Sequence, residues 1–227
     1  MSPRLRLMSW NVRSLRDDRD AVVRVLRACA PDVVFLQEAP RFLRAQSRLA
    51  ALAREAGLVV AAGGRPSAGV AVLTTLRVDV DRSEDHLLTK TPGLHQRGVA
   101  VVEAAVGARR FVAASVHLGL RSQERLRHVA EIGSIVDRGL PSVVAGDLNE
   151  GPEGKAWAAL LEGRRDAGAT SGLPTYPAAA PRRRIDTVMV PASWDFTTVS
   201  PGETSGDFDL VRATDHRPVV VDVMESL

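Results

Sequence analysis

Short apolar runs alternate with segments of helical periodicity, a pattern that predicts a layered protein of strands and helices. Apolar residues recur at helical spacing over residues 19–30, 41–56 and 122–138, as in helices that bury one face. Val-rich runs bounded by turn residues predict strands. We place them at residues 5–10, 33–36, 69–75, 78–80, 99–106, 111–116, 143–145 and 219–223.

The order of these elements favours two sheets packed face to face with helices outside them. Strands occur at both ends of the chain and helices lie between them, which is typical of a layered α/β (α+β) architecture. Residues 107–108 predict a tight turn between two Val-rich strands. Residues 167–181 are rich in Pro, Gly and Ala and predict a long loop, and such loops are commonly functional.

Length and composition agree with one globular domain. The chain has 227 residues, of which 45% are hydrophobic and 25% are charged, so disorder is not indicated. No apolar run reaches the length of a membrane span. The N-terminus enters a strand without the apolar core of a signal peptide, so we expect a cytoplasmic protein. The single cysteine, Cys29, cannot form an internal disulfide and is predicted to pack inside the first helix.

The positive charge is a weak argument for nucleic acid. A net charge of +3 is slight for this length, and net charge concerns association and not fold. Among the basic residues, Arg182, Arg183 and Arg184 form the clearest cluster. Arg184 is a candidate phosphate clamp at the rim of a site, but a solvated loop end explains the cluster about equally well.

Six polar motifs stand at the tips of apolar runs, and strand direction can bring them together. Four follow their run and two precede it, so antiparallel neighbours can deliver all six to one edge of the sheets. The motifs are Ser9-Trp10-Asn11, Leu36-Gln37-Glu38, Val116-His117-Leu118, Gly146-Asp147-Leu148-Asn149, Arg184-Ile185-Asp186 and Thr214-Asp215-His216. Their carboxylate and amide oxygens suit a hard cation such as Mg²⁺ or Mn²⁺, and their imidazoles suit proton transfer near neutral pH. This chemistry favours hydrolysis of a phosphate ester.

The ordered motifs resemble those of the endonuclease/exonuclease/phosphatase superfamily, the DNase I-like metal-dependent phosphoesterases. They read W-N, Q-E, H-L, G-D-x-N, x-I-D and T-D-H-x-P, and they span nearly the whole chain. The resemblance implies a four-layer sandwich of two mixed, mainly antiparallel sheets flanked by helices. It also implies that residues 1–227 form a single catalytic domain of this kind.

The resemblance implies a metal site at Glu38, Asn11 and Asp215. An unpaired carboxylate at a strand tip is costly unless it pairs or binds a cation, which independently favours a metal role for Glu38. The alternatives from the residues are that Glu38 stabilises the start of the next helix and that Asn11 is a turn residue.

The resemblance also implies the catalytic roles. Asp147 would orient or deprotonate the attacking water, and Asn149 would bind the phosphate as its charge changes. Asp186 would orient His216, and His117 would be a candidate acid for the leaving oxygen. Which imidazole transfers the proton stays open, and a turn followed by a helix N-cap is the competing interpretation of Asp147 and Asn149.

Two further residues are candidates for substrate binding. Arg97, in Gln96-Arg97-Gly98, is similar to an R-G pattern of the family in which the arginine approaches the phosphate. Tyr176, between Pro174 and Pro177, either stacks on a base or sugar or fills a hydrophobic gap.

The substrate class stays open at this stage. Val12 and Arg13 follow Asn11 where abasic-site endonucleases of the family carry an acidic residue two positions on, which disfavours that activity. Our leading hypothesis is a Mg²⁺- or Mn²⁺-dependent phosphodiesterase that acts on DNA or RNA. The alternatives are hydrolysis of a small phosphorylated metabolite or lipid head group, and an inactive phosphate-binding module. The intact set of polar residues argues against the inactive module.

Overall fold

Two six-stranded mixed sheets form the centre of the computed structural model, which describes residues 4–224. The first sheet has the order β11-β12-β1-β2-β4-β3 and the second has the order β5-β6-β7-β8-β10-β9. Strands β1 and β2 run parallel, as do β7 and β8, and the other pairs are antiparallel. The strands are β1 (Leu5–Asn11), β2 (Val33–Gln37), β3 (Val59–Gly64), β4 (Val70–Thr74), β5 (Asp79–Leu87), β6 (Gly98–Val106), β7 (Arg109–His117), β8 (Ser142–Asp147), β9 (Arg164–Asp166), β10 (Asp186–Pro191), β11 (Asp195–Val199) and β12 (Val219–Met224).

Helices cover the outer face of each sheet, which gives four layers. Helices α1 and α2 share an apolar core with the first sheet, and so does α6, while α3 and α4 pack on the second sheet. This arrangement confirms the predicted DNase I-like sandwich. The helices are α1 (Arg19–Cys29), α2 (Ala45–Glu55), α3 (Ser122–Val136), α4 (Lys155–Leu160), α5 (Pro201–Ser205) and α6 (Asp207–Ala213), with a 3₁₀ turn at Arg13–Leu15.

Strand β1 shows why the central strands have nearly continuous apolar sequences. Leu5 and Leu7 face the core between the sheets, whereas Met8 and Trp10 face the helices. Successive side chains of a strand point to opposite faces, and here both faces are covered. A strand in this position therefore needs apolar residues at almost every step.

Two predictions about element bounds need correction. The second helix begins at Ala45 and not at residue 41, because Arg44 takes a left-handed conformation with φ of 56°. Phe42, which we predicted on the buried face of that helix, is 81% exposed. The strand predicted at 78–80 is the start of the much longer β5.

Several local predictions are confirmed. Cys29 is buried in the core beneath α1. Residues 167–181 form a loop without regular helix or strand, held by an isolated bridge between Tyr176 and Arg183. No helix among residues 4–224 is long and apolar enough to cross a membrane.

Candidate active site

Three polar side chains form a row across the second sheet. His117 ends β7 and Asp147 ends β8, and the two residues are in register in this parallel pair. Asp186 begins β10 and is in register with Asp147 across the antiparallel pair. Strand direction therefore brings His117, Asp147 and Asp186 to the same edge, as the sequence predicts.

Asn11 connects this row to the first sheet. It is the last residue of β1, and Glu38 directly follows the neighbouring strand β2. The Asn11 Nδ2 donates to Glu38 Oε1 at 3.2 Å and to Asp147 Oδ2 at 3.1 Å. The site thus spans both sheets, with an amide group between two carboxylates.

His216 is held in place by the first strand and by Asp186. Trp10 Nε1 donates to the His216 carbonyl at 2.9 Å, and Thr214 Oγ1 donates to the Asn11 carbonyl at 3.0 Å. The Nδ1 of His216 lies 2.9 Å from Asp186 Oδ2. Burial lowers the pKa of His216, but the buried Asp186 carboxylate outweighs it and the pKa is raised to about 9. His216 is therefore an imidazolium at neutral pH.

Asp147 lies at the centre of the cluster. Its Oδ1 accepts from the Asn149 backbone N–H at 2.9 Å, and its Oδ2 is 3.8 Å from His216 Nε2. Burial, together with the negative charge of Asp186, raises the pKa of Asp147 to about 7. A carboxyl group with this pKa can exchange a proton near neutral pH.

His117 and Asn149 form a hydrogen-bonded pair beside Asp147. Asn149 has φ of 53°, and its Nδ2 donates to the Leu118 carbonyl at 2.9 Å and lies 3.1 Å from His117 Nε2. Burial, and then the charge of Arg97, lower the pKa of His117 well below its usual value. His117 is thus a neutral acceptor that orients the Asn149 amide. Glu38 also has a positive φ, of 51°, and such backbone strain clusters at functional sites.

Asp215 lies at the exposed side of the cluster. Its Oδ2 is 3.4 Å from Arg13 Nε, and its side chain is 30% exposed. The Thr214 hydroxyl is 3.4 Å from its Oδ1. The Arg13 guanidinium therefore balances part of the charge of Asp215, which like Glu38 is only partly buried.

The donor set fits a hard divalent cation. Asp147, Asp186 and His216 each offer a ligand atom, and these atoms lie within 4.8 Å of one another. However, Asp186 already receives the Nδ1 proton of His216, so this pair is better suited to orient the imidazole. The carboxylates of Glu38 and Asp147 face a shared space that the Asn11 amide occupies, and oxygen ligands of this kind suit Mg²⁺ or Mn²⁺.

The predicted substrate-binding residues fall in different places. The Tyr176 ring lies against the His216 ring, with 4.8 Å between centroids. Burial lowers the pKa of Arg97, while the charges of Asp147 and Glu38 act in the opposite direction, which places Arg97 beside the cluster.

Arg184 does not join the cluster. Its Nη1 lies 2.7 Å from Asp166 Oδ2, and its guanidinium stacks on the Trp157 ring at 4.7 Å. The prediction of a phosphate clamp at Arg184 is not supported by this arrangement, because an internal carboxylate already occupies the guanidinium.

Sequence reasoning missed two basic residues near the site. The charges of Arg41 and His95 contribute, after burial and Arg97, to the lowered pKa of His117. Arg41 was assigned to the first turn of a helix, although its place three residues after Glu38 was a usable signal. His95 stands two residues before Arg97 in a segment without periodicity, so only the fold could reveal its position.

The chain is similar to known proteins in sequence pattern and in fold. A family model described as "Endonuclease/Exonuclease/phosphatase family" matches residues 8–216. No curated protein matches the chain. Three solved structures of low sequence identity share the fold. An endonuclease/exonuclease/phosphatase from Bacteroides vulgatus is 18% identical with a TM-score of 0.75, over 99% of this chain and 100% of that one.

The other two structures carry different descriptions. A mannosyl-6-phosphatase from Bacteroides thetaiotaomicron is 15% identical with a TM-score of 0.76, over 97% of this chain and 99% of that one. TDP2 from Caenorhabditis elegans is 18% identical with a TM-score of 0.69, over 98% of this chain and 74% of that one. At these identities the likeness concerns the fold and not the substrate.

Proposed function

The chain belongs to the endonuclease/exonuclease/phosphatase family of phosphoesterase hydrolases, and we propose that it is a divalent-metal-dependent phosphodiesterase acting on nucleic acid. The observation that carries this proposal is the arrangement of Asp186, His216 and Asp147 next to the carboxylate of Glu38. It provides a fixed imidazole, a buried carboxyl group and oxygen ligands for a cation at one edge of the sheets.

Asp147 is the proposed base. Its two oxygens are held by the Asn149 N–H and the Asn11 amide, so the carboxylate cannot rotate away from a water in the cluster. It takes a proton from that water as the water attacks phosphorus in line with the leaving oxygen. Positioned proton transfer of this kind typically contributes about 10²- to 10⁴-fold in rate.

His216 and Asn149 stabilise the charge that grows on the phosphoryl oxygens. Asp186 fixes the His216 ring through Nδ1, which leaves Nε2 as a charged donor on the side of Asp147. The neutral His117 orients the Asn149 amide. Preorganised donors of this kind favour the transition state over the ground state. We therefore assign the stabilisation of phosphoryl charge to the imidazolium of His216 rather than to the neutral His117.

Glu38, Asn11 and Asp215 are the residues proposed to hold the cation, with Asp147 facing the same space. A bound Mg²⁺ or Mn²⁺ supplies Lewis-acid polarisation of the phosphoryl oxygen. Arg13, beside Asp215, and Arg97, beside the cluster, add fixed positive charges.

One observation, the position of Tyr176, supports a nucleic-acid substrate over a small monoester, whereas Arg97 supports a phosphate ester of either kind. The Arg97 carbonyl accepts hydrogen bonds from Leu88 N–H and Gln96 Nε2, but within residues 4–224 its guanidinium has no hydrogen bond or ion pair, so it is available to a phosphate. Tyr176 presents a flat ring beside His216, and aromatic rings stack on bases without sequence preference. Phosphatase activity on a small metabolite or lipid head group remains the alternative.

Hydrolysis of a substrate panel with Mg²⁺, with Mn²⁺ and with chelator tests the proposal. The panel contains bis-p-nitrophenyl phosphate, p-nitrophenyl phosphate, plasmid DNA and single-stranded DNA. Chelator-sensitive cleavage of the diester and of DNA is the expected result. Activity confined to the monoester would favour the phosphatase. No activity on any substrate would contradict the proposed nuclease and leave an enzyme of narrow specificity or a phosphate-binding module.

A further inference from the structure

A cavity lined by arginines opens next to the metal-binding edge. It has a volume of about 400 Å³ and lies between the loop that precedes α2 and the β3–β4 turn. We call it the arginine pocket. Its lining residues are Arg41, Phe42, Leu43, Arg44, Ala45, Gln46, Ser47 and Arg65.

The positive charge of the arginine pocket is not neutralised by the protein. No carboxylate lines it, and within residues 4–224 no acidic side chain forms an ion pair with Arg41, Arg44 or Arg65. The Nε of Arg41 is buried without a hydrogen-bond partner in this part of the chain. Three guanidinium groups without counter-charges around one concavity indicate an anionic ligand, since guanidinium groups match phosphate oxygens in a bidentate geometry.

Two large apolar side chains border this charged cavity. Phe42 is 81% exposed and Leu43 is 86% exposed, although the hydrophobic effect favours burying both side chains. The loop projects them because Arg44, which precedes α2, has a left-handed backbone. An exposed aromatic ring between arginines combines the two features by which proteins bind single-stranded nucleic acid, a positive groove and a stacking platform.

Arg41 places the arginine pocket near the catalytic edge, because its charge contributes to the lowered pKa of His117. Arg41 is three residues after Glu38, a distance of at most about 11 Å of extended chain. The Arg41 side chain packs closely on Gly69, where an added Cβ would lie 2.8 Å from Arg41 Cδ. The backbone N–H of Ala39 also bonds to the Gly69 carbonyl at 2.7 Å. A strand whose scissile phosphate lies at Asp147 and His216 can therefore extend over the pocket.

We propose that the arginine pocket binds a second, non-scissile phosphate of a single-stranded nucleic acid and that Phe42 stacks on the adjacent base. This inference rests on the proposed phosphodiesterase function and names the form of its substrate. The shape of the pocket favours this ligand over a lipid surface. Membrane-surface segments are typically polybasic or amphipathic helices that lie on a plane, whereas these arginines surround a concavity.

Binding is tested first without catalysis. Fluorescence anisotropy with a labelled oligothymidine, in chelator, compares the wild type with R44A/R65A and with F42A. The expected result is a loss of affinity of at least about tenfold for each variant. The slope of log K against log salt should also flatten by about 0.7 for each phosphate contact removed. R54A/R110A removes the same charge from exposed arginines outside the pocket, and L76A removes a side chain that is 87% exposed. Both controls should bind like the wild type.

Activity then separates this inference from the proposed function. With Mg²⁺, R44A/R65A should lower kcat/KM for the oligonucleotide at least about tenfold more than for bis-p-nitrophenyl phosphate, because only the polymer has a second phosphate. Equal losses on both substrates would overturn the inference and leave the phosphodiesterase intact. A wild type that binds no oligonucleotide in chelator would overturn it as well. Binding to phosphatidylcholine–phosphatidylserine vesicles that depends on Phe42, without binding to the oligonucleotide, would replace nucleic acid with a lipid surface.

Discussion

Carboxylates cluster at two places on the second sheet, and Glu84 in one and Asp147 in the other have pKa values shifted in opposite directions. Around Arg138, the carboxylates of Glu84 and Glu103 both contact the guanidinium, with 2.8 Å between Arg138 Nη1 and Glu103 Oε1. Hydrogen bonding to Arg138 lowers the pKa of Glu84 to about 2. At the catalytic edge, burial and Asp186 raise the pKa of Asp147 to about 7.

The contrast shows how a structural cluster differs from a functional one. The guanidinium of Arg138 satisfies its carboxylates within the protein, so that cluster needs nothing from solution. At the catalytic edge Asp147, Glu38 and Asp186 contact one imidazolium and one amide. Arg97 lies near Asp147 and Glu38, but none of the three carboxylates forms an ion pair with a guanidinium in residues 4–224, so negative charge is left for a cation or a proton. Unsatisfied buried charge is costly and persists where it serves a reaction.

The largest expected effect separates the two clusters by activity. Asp147→Ala and His216→Ala should each lower kcat by at least about 100-fold, because each removes a positioned acid–base or charge-stabilising group. Glu103→Ala, in the Arg138 cluster, should stay within about twofold of the wild type, since it lies outside the reacting groups. Steady-state kinetics on bis-p-nitrophenyl phosphate, with circular dichroism to verify folding, is the measurement. Near-normal turnover in the Asp147 or His216 variant would refute the mechanism.

The next effect concerns the cation. Glu38→Gln keeps the size of the side chain but removes its charge, so the Mg²⁺ concentration for half-maximal activity should rise at least about tenfold. The matched change Glu84→Gln should leave that concentration unchanged, because the Arg138 cluster has its own counter-charge. The measurement is a titration of activity with Mg²⁺. If both variants need the same Mg²⁺ concentration for half-maximal activity, Glu38 is not a metal ligand.

A third prediction tests the source of the charge on His216. Asp186→Asn removes the carboxylate that does most to oppose burial, so the pKa of His216 should fall well below its wild-type value of about 9. In the wild type the pKa is raised, so the His216–Asp186 pair stabilises the fold fully below pH 6.5 and loses this effect as the pH rises through about 9. Histidine NMR titration reports both states. A pKa that stays near 9 in the variant would mean that other groups hold the charge.

The smallest expected effect is on stability in acid. The pKa of Glu84 is lowered from 4.5 to about 2, so its ion pair stabilises the fold above pH 4.5 and is lost as the pH falls toward 2. Because the pair is partly solvated, its contribution is about 1 kcal/mol. Urea unfolding at successive pH values should show this loss in the wild type and not in Glu84→Gln. If the wild type and Glu84→Gln lose stability equally in acid, the ion pair between Glu84 and Arg138 does not contribute to the free energy of unfolding.

The central strands could be predicted from the sequence, and the edge strands could not. The eight inner strands are covered on both faces. Apolar runs place seven of them, and β10 is expected only as a run that follows Asp186. The edge strands β3, β9 and β11 were missed, and only the start of β5 was found. In β5 seven of nine residues are exposed. Its sequence therefore lacks the apolar residues by which a buried strand is predicted.

The site follows the same division. Its residues at strand tips could be placed together because the direction of each strand was predictable. The protonation states of His117 and His216 could not be predicted from the sequence, because they depend on burial and on neighbours such as Asp186 and Arg97. The misplaced Arg184 has the same cause, because its partner Asp166 lies on an edge strand that the sequence does not predict.

The hydrogen bonds from Trp10 and Thr214 have a consequence for synthesis. They join the N-terminal strand to the segment that carries His216, about two hundred residues later, and β12 pairs directly with β1. Contacts between such distant parts of a chain form late in folding. A ribosome-bound or truncated chain that lacks β12 therefore holds every other motif of the site and has no ordered His216. We therefore expect no phosphoesterase activity until β12 has paired with β1.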